Sequence, residues 1–111
     1  MKTPGRNRIG TTQRWTASFV NNAGAYVDPT TVVAKVKTPA GMITSYAYGV
    51  ASNVGKSATG RYFIDITPTD GGRWFIRWEA TSGTDHLALE DDHIIQNSPF
   101  VGNSWATGDY A

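Results

Sequence analysis

The chain of 111 residues contains no cysteine, so neither disulfides nor thiolate ligands hold it, and a single core must stabilise it unless an assembly helps. Charge is scarce: Asp, Glu, Lys and Arg supply 17% of the residues, where about 25% is ordinary. The net charge is only +1 and neither sign forms a long block, so the electrostatic footprint of a dedicated nucleic-acid binder is missing. No stretch approaches the ~20 apolar residues of a membrane span. Met1-Lys2-Thr3-Pro4-Gly5-Arg6 leads into no apolar run of signal-peptide length, so a soluble, unprocessed protein is expected. A convincing helical period of 3.6 residues is absent as well.

What is present is the composition of one folded domain, 40% hydrophobic and 12% aromatic. A domain of this size buries about 65% of its unfolded surface. Over residues 13–20, Trp15, Ala17 and Phe19 alternate with Arg14, Thr16 and Ser18, the period of a half-buried strand. Asn21-Asn22-Ala23-Gly24 and Asp28-Pro29 then form a long turn. The β-branched run 31–37 and its hairpin partner 42–48 follow, joined at Pro39-Ala40-Gly41, with Met42, Thr44, Tyr46 and Tyr48 sharing one face. Residues 49–60 read as a small, polar connector crossing between sheets. Tyr62, Ile64 and Ile66 mark a strand over 61–67, ended by Pro68-Thr69-Asp70-Gly71-Gly72. The sharpest alternation lies at 73–80, where Trp74, Ile76 and Trp78 face inward. After a turn at Ser82-Gly83-Thr84-Asp85, Leu87 and Leu89 alternate until Glu90-Asp91-Asp92-His93, where a bulge or bend is expected. The predicted core is therefore Trp15, Phe19, Tyr62, Ile64, Trp74, Ile76 and Trp78. Flanking it, residues 1–11 read as a basic arm and 98–111 as an aromatic-containing arm, with the body at 12–97.

Metal-type ligands concentrate only at Asp85, His86, Glu90, Asp91, Asp92 and His93, a spacing that matches no EF-hand or zinc motif. A charged strand edge that discourages edge-to-edge pairing is the favoured account, so no metal or cofactor is expected. No nucleophile, base and orienting group stand in a recognisable motif, and Gly71-Gly72 opens a strand where a phosphate loop would open a helix, so no enzymatic activity is expected. The aromatics exceed what one core needs. Phe63 and Phe75 point outward, and with Arg6, Arg8, Phe100, Trp105 and Tyr110 they form the expected partner-binding set.

Six or seven short strands separated by turn signals roughly every 8 to 15 residues suggest an all-β, immunoglobulin-like antiparallel sandwich of about seven strands. Asp70-Gly71-Gly72-Arg73-Trp74-Phe75-Ile76 resembles the Asp-x-Gly-x-Tyr-x-Cys signature opening strand F of immunoglobulin domains. Ile76 stands at the Cys position, removing the inter-sheet disulfide, and Trp74 at the Tyr position lacks the phenol of a tyrosine corner. Asp28-Pro29-Thr30-Thr31-Val32, the hairpin strand 43–48, Thr59-Gly60-Arg61-Tyr62, Gly72-Arg73-Trp74-Phe75-Ile76-Arg77-Trp78-Glu79 and Ser98-Pro99-Phe100 resemble the small immunoglobulin-like virion proteins of tailed bacteriophages. That resemblance implies a virion structural part, made in the host cytoplasm and present in several copies. Capsid decoration through the arms is the first expectation, with a neck or tail-collar component or a glycan- or receptor-binding module as alternatives; the partners would be other virion proteins, not a membrane or a specific nucleic-acid sequence.

Overall fold

A computed structural model describes residues 8–96. The Arg6, Phe100, Trp105 and Tyr110 proposals, and the whole 98–111 arm, lie outside those residues. Seven strands form: β1 (Gln13–Ser18), β2 (Thr31–Lys37), β3 (Ile43–Ala47), β4 (Val54–Ala58), β5 (Arg61–Ile66), β6 (Gly72–Ser82) and β7 (Asp85–Ile95). No helix occurs among the described residues. One sheet has the order β1-β5-β4 and the other β3-β2-β6-β7, and every named pair is antiparallel. With β1 as strand B, this is the B-E-D and C′-C-F-G arrangement of an immunoglobulin-like sandwich.

Alternation on each strand decides the core, because successive side chains must point to opposite faces. Trp15 and Ala17 of β1, with Phe19 just beyond it, meet Tyr62, Ile64 and Ile66 of β5 and Val54 of β4. From the other sheet come Val32, Ala34 and Val36 of β2, Trp74, Ile76, Trp78 and Ala80 of β6, and Ile95 of β7. All seven predicted core residues are buried. Trp15 and Trp74 pack with ring centroids 6.4 Å apart, and Phe19 meets Tyr62 edge-on at 5.7 Å, so aromatic contacts join and fill the two sheets.

Several details differ from the sequence reading. The connector 49–60 does cross between the sheets, but it contains a strand, β4, whose Gly55 and Lys56 hid its period. Phe63 folds over Gly55, where a Cβ would come within 2.4 Å of the ring, so the glycine strand is covered by its neighbour's aromatic. The expected bulge in β7 is absent, since β7 pairs with β6 without interruption from Ser82↔Asp85 to Gly72↔Ile95. The phase never breaks there: Leu87, Leu89, Asp91, His93 and Ile95 share the inner face, and its polar members only mimic a disturbance. His93 stacks flat on Trp15 at 4.5 Å, so an edge histidine completes an apolar wall.

The body also begins earlier than residue 12. Ile9 is buried in the core, its N–H donates to the Gln96 carbonyl at 3.1 Å, Gly10 N–H donates to Pro68 at 3.1 Å, and Arg8 forms a parallel bridge with Gln96. One isoleucine is too short a signal for periodicity to register. At the other corner, the Trp74 indole N–H donates to the Asp70 carbonyl at 2.9 Å, so tryptophan ties the chain entering β6 where a tyrosine hydroxyl was missing.

Gly60 and Gly83 both hold positive φ, at 73° and 64°. A Cβ at Gly60 would meet the Phe19 carbonyl oxygen at 2.7 Å and the Val27 nitrogen at 2.9 Å, whereas nothing lies within 4 Å of one at Gly83. Gly83→Ala should cost the backbone term of about 1 kcal/mol. Gly60→Ala should cost ~3 kcal/mol or more because backbone must also move. Urea unfolding of the two variants checks the order.

Candidate protein interface

The outer face of β3-β2-β6-β7 is built by the register of its two central strands. One row across the sheet reads Ile43, Lys37, Phe75, Asp92, and the next reads Ser45, Lys35, Arg77, Glu90. In the second row and beside it the charges satisfy one another: Lys35 reaches Glu79 at 3.0 Å, Arg77 reaches Glu79 at 2.7 Å and Glu90 at 2.6 Å. Hydrogen bonds from Arg77 and then Lys35 hold the Glu79 carboxyl below the usual range. This mesh fixes long side chains in place and leaves the first row more apolar. Phe75 is 43% exposed and Ile43 62% exposed, and Ile94 on the same face is 51% exposed.

Between the rows runs a groove of about 270 Å³ lined by Lys35, Lys37, Ile43, Phe75, Arg77 and Glu90. The Lys37 ammonium lies 5.9 Å from the Phe75 ring centroid, a cation at the rim of an aromatic floor. Exposed aromatics with arginine are what protein interfaces concentrate. Nothing in the sequence marked Ile43 or Ile94 as exposed, because exposure here follows from which sheet face has no second layer.

A second concavity, about 440 Å³, lies between the β1–β2 connection and the β6–β7 hairpin, lined by residues that include Phe19, Val20, Asn22, Pro29, Asp85 and His86. It sits at the end of the sandwich that carries the β1–β2 and β6–β7 connections. Asn21 shapes one wall, its Oδ1 accepting the Ala23 and Ala25 N–H groups at 2.9 and 3.1 Å. Asp28 anchors the same connection to the β4–β5 hairpin, accepting Gly60 N–H at 2.8 Å, Lys56 Nζ at 2.9 Å and the Tyr62 hydroxyl at 3.3 Å. The sequence presented these residues only as turn formers.

The other expected site residues separate. Phe63 lies on the outer face of β1-β5-β4, half-buried over Gly55, with the Arg14 guanidinium 3.8 Å from its centroid. Arg14 is in turn held by Asp65 at 2.8 Å, so Phe63 is occupied within its own sheet. Phe63 and Phe75 thus face opposite sides of the sandwich and cannot form one stacking platform. Arg8 is half-buried at the Gln96 bridge. Alternation also divides the acidic cluster: Asp91 and His93 face inward, Glu90 pairs outward with Arg77 and Asp92 with Arg73. Among the described residues no group of three or more His, Cys, Asp or Glu side chains converges on a metal site, and none forms a membrane-crossing helix.

The Asp28 and Asp65 carboxyls are held below their ordinary range, the first by the Gly60 N–H and then Lys56, the second by Arg14. Folded values below the unfolded one mean that this stability is fully present above about pH 3.9 and is lost as pH falls through the folded values. Unfolding free energy should therefore drop steeply below that pH in wild type and less steeply in Asp28→Asn, as acid titration followed by tryptophan fluorescence will show.

No family model, curated protein or solved structure matches the chain.

Proposed function

We propose that the protein is a non-enzymatic structural component of a tailed-phage virion, a capsid-decoration protein that docks on capsid subunits through the outer face of β3-β2-β6-β7 together with its arms. The observation that carries this reading is the row Ile43, Lys37, Phe75, an exposed aromatic beside an aliphatic and a cation on a charge-braced sheet. Such a face is rigid before binding, so little side-chain ordering opposes association. The resemblance of the strand segments and of the Asp70 to Ile76 run to small virion immunoglobulin-like proteins supports the setting. A neck or tail-collar position would use the same docking chemistry.

Co-sedimentation with purified capsids lacking the protein tests the proposal. Wild type should pellet saturably, Phe75→Ala should bind at least ~10-fold more weakly, and Lys37→Glu should weaken binding further as salt is lowered. Because Phe75 contributes little to the core, its removal should leave the thermal midpoint nearly unchanged. Failure of wild type to bind would overturn the decoration reading, and undiminished binding by Phe75→Ala would remove this face from it.

A further inference from the structure

We infer that two copies of this chain join through the free edge of β3, which pairs antiparallel with β3 of the second copy about a two-fold axis at Thr44. Among the described residues the two sheets end in four outer strands, β1 and β4 in one and β3 and β7 in the other. An outer strand presents unpaired N–H and C=O groups, and charged side chains or bulges are what ordinarily keep a second chain off them. Three of the four carry such devices. β1 has Arg14, β4 has Lys56 with a register shift beyond it, and β7 has Asp85, Glu90, Asp91 and Asp92. β3 reads Ile-Thr-Ser-Tyr-Ala, and no charged residue stands anywhere between Lys37 and Lys56. A copy can approach this edge without like-charge repulsion, whereas each of the other three brings its own charges to a copy of itself.

The hydrogen bonds of the β2–β3 hairpin fix which backbone groups are free. Tyr48 N–H donates to the Val32 carbonyl at 2.9 Å and Thr38 N–H to the Met42 carbonyl at 2.9 Å, so the even-numbered residues of β3 face β2. Ile43, Ser45 and Ala47 therefore turn their N–H and C=O groups to the open side. The Ala47 carbonyl is already in use, accepting Val50 N–H at 3.1 Å and Ala51 N–H at 2.9 Å. In an antiparallel ladder, bonded residues exchange both of their N–H···O contacts. An axis at Thr44 sets Ile43 against the copy's Ser45, and Ser45 against the copy's Ile43, so every free group of these two residues is satisfied. An axis at Ser45 would set Ile43 against the copy's Ala47, whose carbonyl is taken.

The same register covers side chains that the isolated chain leaves open. Met42, 69% exposed, falls opposite the copy's Tyr46, a thioether against a ring that its own core covers only in part. Thr44 meets Thr44 on the axis, a cross-strand pair that sheets favour. On the outer face Ile43 packs beside the copy's Ser45, and the two four-stranded sheets become one continuous surface that carries both Phe75 rows. β3 has only five residues, so the contact is small and the dimer forms in a concentration-dependent way.

The full-length protein, which has no cysteine of its own, allows a direct test. Sedimentation equilibrium from about 10 μM to about 1 mM should show monomer passing to dimer; a strict monomer throughout would overturn the proposal. Ser45→Pro removes an N–H that faces away from β2, the placement an edge strand tolerates, so the thermal midpoint should stay close to wild type while dimerisation weakens at least ~10-fold. Undiminished dimerisation would remove β3 from the interface. Thr44→Cys should oxidise to a disulfide-linked dimer and Ser45→Cys should not, because only position 44 lies opposite itself, with Cα atoms about 4.5 Å apart. No disulfide from Thr44→Cys, or equal yield from the two, would overturn the register, and this comparison decides the matter even if Ser45→Pro lowers the midpoint. None of these readouts involves capsids, so their outcome is separate from that of the decoration reading.

Discussion

The structure depends on the alternation of β6. It is the strand with β2 on one side and β7 on the other, and its inner residues Trp74, Ile76, Trp78 and Ala80 are all buried. Its register therefore sets which residues of two neighbours face the core, and a slip by one would exchange the tryptophans for Arg73, Phe75 and Arg77. The indole of Trp74 pins that register at its start by bonding the Asp70 carbonyl, a restraint the strand keeps without any disulfide. Outside, the same register places Phe75 in the middle of a sheet face and aligns the ion pairs that brace it.

Each sheet meets its remaining difficulties locally. Glycine weakens β4 at position 55, and Phe63 on the adjacent strand covers the gap while Arg14, itself held by Asp65, lies over the ring. The long β1–β2 connection has few apolar anchors, and the Asp28 carboxylate gathers Gly60, Lys56 and Tyr62 to fasten it. At the open side between β1 and β7, His93 closes over Trp15, a polar residue used for its flat ring. These contacts are partly exposed, so their value lies in fixing geometry more than in stability.

One consequence is a division of labour between the two outer faces. The face of β1-β5-β4 spends its aromatic, Phe63, on its own sheet. That of β3-β2-β6-β7 leaves Phe75, Ile43 and Ile94 open beside a groove in which Lys35, Arg77 and Glu90 are held in ion pairs and Lys37 lies at the rim of the Phe75 ring. A surface so arranged suits association, because few charges must be desolvated without a partner when the apolar row is covered.

The sequence by itself determined the fold class and the core: strict alternation around Trp15, Tyr62, Ile64, Trp74, Ile76 and Trp78 leaves one inward face per strand, and turn residues mark where strands end. It missed β4, whose glycine and lysine dilute the period, and it overread Asp91 and His93 as a break, because hydropathy counts a histidine as outward even when its ring completes a core wall. Ile9 escaped for a related reason, as a single apolar residue has no period. Tertiary structure alone decided the site. Phe63 and Phe75 are equivalent in sequence, each an aromatic at an outward position, and only the strand lying beside each, Gly55 in one sheet and Lys37 in the other, determines which ring is covered and which is left exposed.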